Sequence, residues 1–143
     1  MIIYEKGILK NFDVDIKVYL VDARCNSLET LENDFPGVFF EYRKYCNKKS
    51  RHPKLFGTNF YMYEDLSEVC LMIAKDYYTE NPDCFINYDY FNKCVQNIYK
   101  ECMTNNKESI AIKDYKDGII DGMLKSYFKN SGVICRVVDE KER

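Results

Sequence analysis

The chain predicts an α/β domain with a mixed, mainly parallel sheet covered by helices on both faces, and three stretches carry that prediction. Val69 to Ala74 is an unbroken apolar run of the kind that forms a buried strand. Tyr90, Phe91, Cys94, Val95, Ile98 and Cys102 recur at helical spacing and mark the clearest amphipathic helix in the chain. Ser109 to Phe128 runs from a short apolar strand, Ser109 to Ile112, through a polar turn holding Gly118 and Gly122, into a helix on Ile119, Ile120, Met123, Leu124, Tyr127 and Phe128. Strands that alternate with helices in this way need crossover connections, which make their neighbours parallel.

The remaining elements follow in order. Met1 to Lys6 alternates loosely and ends at Gly7, which suits a short strand toward a sheet edge. Val14 to Val21 reads as a second strand ending at Asp22. Ser27 is a suitable N-cap for a helix carrying Leu28, Leu31 and Phe35 on one face. Pro36 interrupts that helix and fits the first turn of a second piece marked by Val38, Phe39, Tyr42 and Cys46. Tyr45 to Lys54 is polar and basic and reads as a surface loop, and Lys54 to Tyr63 as an aromatic extended piece broken at Gly57 and Asn59. Thr79 to Asn87 is loop-like, Asn105 and Asn106 stop the long helix, and Val133 to Val138 is the last strand.

At 143 residues the chain predicts one domain, 1–143, long enough for a real core. A formal net charge of -2 supplies no field to attract nucleic acid or an acidic membrane surface. No apolar run suits a signal peptide or a membrane span, so the expected location is the cytoplasm, that of the host if the source is a phage or virus. Cysteines 25, 46, 70, 84, 94, 102 and 135 lack any CxxC or neighbouring His pair and read as reduced core thiols, with no metal site and no cofactor expected.

Several side chains have chemistry at predicted strand ends or turns. Asp22 suits a general base or an acceptor for a ribose hydroxyl, although Asp at a strand-to-turn junction is more often only a turn former. Asp114, Asp117 and Asp121 suit a metal, a sugar or a solvated edge, while Lys113 and Lys116 can offset phosphate charge. The cluster Arg43, Lys44, Lys48, Lys49, Arg51, His52 and Lys54 suits either a phosphate-bearing partner or a helix end whose dipole favours cations. Tyr77, Tyr78, Tyr88, Tyr90 and Phe91 are divided between core and base-stacking surface.

With the elements in order, the chain resembles a divergent macro domain, the three-layer α/β/α module that binds ADP-ribose or removes it from its attachments. The resemblance rests on IIYEKGILKNFDVDIKVYLVDARCNS, FPGVFFEYRKYC, EVCLMIAKDYY, INYDYFNKCVQNIYKEC and SIAIKDYKDGIIDG, which follow in the family's order. It implies ligand-binding positions at Gly7, Ile8, Tyr19, Asp22, Tyr77, Lys113, Asp114, Tyr115, Gly118, Ile119 and Gly122, with Asp22 and Asp121 as the residues to orient water if there is catalysis.

The departures fall on those same loops. Ile8 follows Gly7 directly, so the aspartate that grips adenine in the family has no counterpart. Tyr19 and Asp22 stand where asparagines are common, and the first glycine-rich loop is absent. Lys116 and Asp117 stand where a glycine and a small residue are usual, and a Cβ there restricts the backbone that converges on a pyrophosphate. The expected function is binding of an ADP-ribose- or nucleotide-derived small molecule, such as a defence signal made from NAD, without efficient chemistry. An ADP-ribosyl or ADP-ribose phosphate hydrolase and a protein-interaction module with a closed pocket are the alternatives.

Overall fold

The computed structural model describes residues 1–22, 29–49, 55–75 and 86–140. They form six strands, β1 (Ile2–Gly7), β2 (Ile16–Asp22), β3 (Asn59–Glu64), β4 (Ser67–Lys75), β5 (Ser109–Lys113) and β6 (Ile134–Glu140), and four helices, α1 (Glu29–Asp34), α2 (Pro36–Lys49), α3 (Tyr88–Thr104) and α4 (Gly118–Phe128). The strands make one sheet in the order β1-β6-β5-β2-β4-β3. Every neighbouring pair is parallel except β3 and β4. That exception follows from the connection, because Asp65 and Leu66 alone join the two strands, with φ of 50° and 64°. Paired positive φ values match the twist of a tight hairpin, and a two-residue link allows only antiparallel neighbours.

β2 shows why the domain has three layers. Its successive side chains point to opposite faces, so Ile16 and Val18 enter one apolar cluster while Tyr19 and Val21 enter the other. The first cluster receives Phe91, Cys94, Val95, Ile98 and Cys102 from α3 and Ile120, Leu124 and Phe128 from α4. The second receives Leu31, Phe35, Val38, Tyr42 and Cys46 from α1 and α2. Fully burying a side chain of this size contributes about 1.5–3 kcal/mol, so the 3.6-residue spacing of these residues fixes which side of each helix meets the sheet.

The helix ends are capped from within the chain. Asn87 caps α3 by accepting from the Tyr90 amide at 3.0 Å. At α2 the cap comes from the hairpin: Glu64 Oε1 accepts from the Val38 amide at 2.7 Å. A Cβ on Gly37 would stand 2.5 Å from that same oxygen, so glycine is what allows the approach.

Two expectations need correction. α2 runs to Lys49, so Tyr45 to Lys49 is helix and not surface loop. Cations in a last turn complement the helix dipole, and a polar end extends a helix as readily as it begins a loop. Gly118 and Gly122 do not lie in a turn: Gly118 opens α4 and Gly122 sits inside it. The turn is Asp114 to Asp117, and Lys116 takes its left-handed corner at φ 55°. Ser27, Tyr77, Tyr78, Cys25, Cys84, Arg51, His52 and Lys54 lie outside the described residues.

Candidate ligand-binding crevice

Because β1, β6, β5, β2 and β4 run parallel, their carboxyl ends fall on one edge of the sheet. Gly7 registers with Glu140, Lys113 with Val138, and Asp22 with Lys75. In an open α/β sheet this edge is where ligands bind, since helix N-termini and loop backbone face it. Gly7, Ile8, Asp22, Lys113, Asp114 and Tyr115 therefore belong to one edge, and α4 brings Gly118, Ile119 and Asp121 toward it from above.

Asp22 and Lys75 are the buried polar pair of the edge, at 1% and 3% exposure. The ladder shifts register between Val21 and Asp22, which sets Asp22 opposite Lys75. Tyr42, itself without exposure, donates its hydroxyl to the Asp22 carbonyl at 2.6 Å and so holds the end of β2. Lys75 escapes a sequence reading because it only follows an apolar run, and nothing local shows that its ammonium is buried.

Tyr19 is placed differently. Its ring packs edge-on against Phe35 with centroids 6.0 Å apart, and its hydroxyl donates to Asp34 Oδ2 at 2.8 Å inside the second core cluster. Gly7 lies under the Phe12 ring, 2.9 Å from where a Cβ would stand. Ile8 leads into a short 3-10 turn, Leu9–Asn11, tied to β6 by the Leu9 amide donating to Glu140 Oε1 at 2.8 Å.

The corner between β5 and α4 is built from carboxylates. Asp117 is the N-cap of α4, and its Oδ1 accepts from the amides of Ile119 at 2.8 Å and Ile120 at 3.2 Å. Its Oδ2 accepts from the Tyr88 hydroxyl at 2.6 Å. That hydroxyl, with help from the two amides, holds the Asp117 carboxyl below its ordinary pKa. Asp114 Oδ1 accepts from the Lys116 amide at 2.9 Å. The Lys116 ammonium then folds back between Asp139 at 3.2 Å and Asp114 at 3.4 Å. Asp121 is engaged by the Tyr4 hydroxyl and by Lys125 at 2.9 Å, and both partners, Tyr4 first, lower its pKa.

Behind the corner, a cleft floored by Ile120, Leu124 and Val137 offers water-sized space of about 10 Å³, roughly the room one water needs. Asp114, Asp117 and Asp121 line it together with Lys113, whose Nζ stands 5.6 Å over the Tyr115 ring. The two candidate acids do not converge. Asp121 bonds to β1, three places across the sheet from β2 and Asp22, or ~14 Å at ~4.8 Å per strand. Among the described residues no cluster of His, Cys, Asp and Glu forms a metal site.

The layers, strand order and carboxyl-edge crevice define an α/β/α fold of the macrodomain type, and solved structures agree. The chain superposes on the macrodomain of Thermus aquaticus DarG with a TM-score of 0.78 at 14% identity, covering 97% of this chain and 98% of that one. A macrodomain protein from Streptomyces coelicolor gives 0.79 at 12% identity, over 99% and 100%. Thermosipho africanus DarTG in complex with ADP-ribose gives 0.67 at 12% identity, over 91% of this chain and 39% of that one. The chain has the macrodomain fold. In sequence it matches no family model and no curated protein.

Proposed function

We propose that the chain binds an ADP-ribose- or nucleotide-derived small molecule at the carboxyl edge of its sheet, and holds it without turning it over. The observation that carries this reading is the macrodomain fold with its parallel strand ends intact, shared with a structure that holds ADP-ribose. Ile8, Lys113, Tyr115 and the start of α4 are the contacts proposed for the ligand, with Gly7, Asp114 and Gly122 bordering them, while Asp22, at 1% exposure, anchors the strand end rather than touching the ligand. Sequestering a signal made from NAD is the role that such binding without chemistry would serve.

Hydrolysis has weaker support. A water-orienting base must reach the reacting atom within hydrogen-bond distance. Asp22 is 1% exposed, and the Asp121 carboxylate is already held by Tyr4 and Lys125. Calorimetry and thermal unfolding with ADP-ribose, NAD, ADP, cyclic dinucleotides and the uncharged nucleoside adenosine test the proposal. A true ligand at a hundredfold excess over its Kd stabilises the fold by about 2.7 kcal/mol, and chromatography afterwards should recover it unchanged. No binding to any of these compounds would falsify the binding reading, and steady loss of the ligand would replace it with the hydrolase.

A further inference from the structure

We propose that Asp117, supported by Asp114, is an internal anion that closes the β5–α4 corner to a pyrophosphate. Among nucleotide-derived molecules the crevice then selects those presenting a neutral group, a nucleoside or a sugar hydroxyl, at this position. The inference rests on the ligand-binding reading above and narrows its ligand class.

A helix start at a carboxyl sheet edge ordinarily attracts phosphate, because its first amides have no partner in the helix and carry the positive end of the dipole. Here two of those donors are taken. The amides of Ile119 and Ile120 point at Asp117 Oδ1, and the Lys116 amide points at Asp114 Oδ1. The cation that could offset a phosphate, Lys116, is turned onto Asp114 and Asp139. Tyr88 holds Asp117 in place from α3.

Steric bulk is not what closes the corner. A Cβ added to Gly118 or Gly122 would meet nothing within 4 Å, so the approach to the first turn of α4 is open. What an arriving phosphate would meet is a carboxylate already on its donors, and like charges placed together at an interface oppose binding. The cleft behind, where Asp114 and Asp121 are already paired with Lys116 and Lys125, offers about 10 Å³ of water-sized space, so it is too small to provide a second place for the group.

The test is calorimetry of ADP-ribose and adenosine against the wild-type chain, Asp117→Gly and Asp117→Asn, with circular dichroism to confirm folding. Glycine is tolerated at an N-cap and vacates the donors; asparagine keeps the cap and removes only the charge. The expected result is a gain of about tenfold or more for ADP-ribose in Asp117→Gly, a smaller gain in Asp117→Asn, and an adenosine affinity that is unchanged. If the glycine variant does not fold, the gain in Asp117→Asn decides. ADP-ribose binding that is equal or weaker in the folded variants than in the wild type overturns the inference. A wild type that binds neither compound defeats the ligand-binding reading instead, and a variant that then acquires ADP-ribose binding still supports closure by Asp117.

Discussion

The Tyr88 hydroxyl donates to Asp117 Oδ2 at 2.6 Å, tying the first residue of α3 to the N-cap of α4. Two helix starts that flank the crevice are thereby joined through one carboxylate, which is also the group that occupies the α4 amides.

This link has a titration signature. Folding favours the ionised form of Asp117, because its pKa is lowered, chiefly by Tyr88. The stabilisation is complete above the unfolded carboxylate pKa of about 3.9 and is lost as pH falls through the lowered folded value. In Tyr88→Phe the Asp117 carboxyl should titrate at higher pH, nearer its ordinary value, as followed by carbon NMR of that side chain. An unchanged midpoint would remove Tyr88 as the cause.

Tyr19→Phe separates core from crevice. It strips a donor from Asp34, which is 3% exposed, and loss of a buried partner of this kind costs about 1–3 kcal/mol. Urea unfolding should show that loss while the affinity for any crevice ligand stays the same. A variant of normal stability that fails to bind would instead place the Tyr19 hydroxyl on the ligand.

Leu66→Gly should stabilise the protein. Leu66 occupies the left-handed region at φ 64° and is fully exposed, so no packing is lost with its side chain. Relieving the left-handed penalty of about 1–2 kcal/mol outweighs the flexibility that glycine adds to the unfolded chain, about 0.4–1 kcal/mol. A urea midpoint that moves down would show that the Leu66 side chain has a role in the fold.

Cys46, Cys70, Cys94, Cys102 and Cys135 are buried thiols. Burial pushes the thiols of Cys94, Cys102 and Cys135 up to about 12, so at neutral pH they are protonated and unreactive. Brief iodoacetamide treatment of the native protein followed by mass mapping should leave all five unmodified. Rapid alkylation of any one would locate an opening in the core.

Much of the fold is legible in the residue pattern, since apolar spacing directly encodes which face is buried. Of the apolar set read for α3, Phe91, Cys94, Val95, Ile98 and Cys102 are its buried face, and Tyr90 is only half-buried. The site is less legible, because its properties arise from residues distant in sequence. Gly118 and Gly122 look like turn punctuation, yet the Asp117 cap starts a helix through them. Asp121 is engaged by Lys125 one turn along its helix, but its other partner, Tyr4, is 117 residues away. The burial of Lys75 depends on its pairing with β2, which no local signal announces.

The carboxylate that closes the start of α2 belongs to the β3–β4 hairpin, 26 residues further along the chain. The Val38 amide can exchange its hydrogen only when Glu64 withdraws or the helix start frays. Deuterium uptake at that single amide therefore reports opening of the hairpin as well as of α2. The hydrogen bond couples the two segments, so removing the Glu64 carboxylate should loosen the start of α2 on the sheet face opposite α3 and α4.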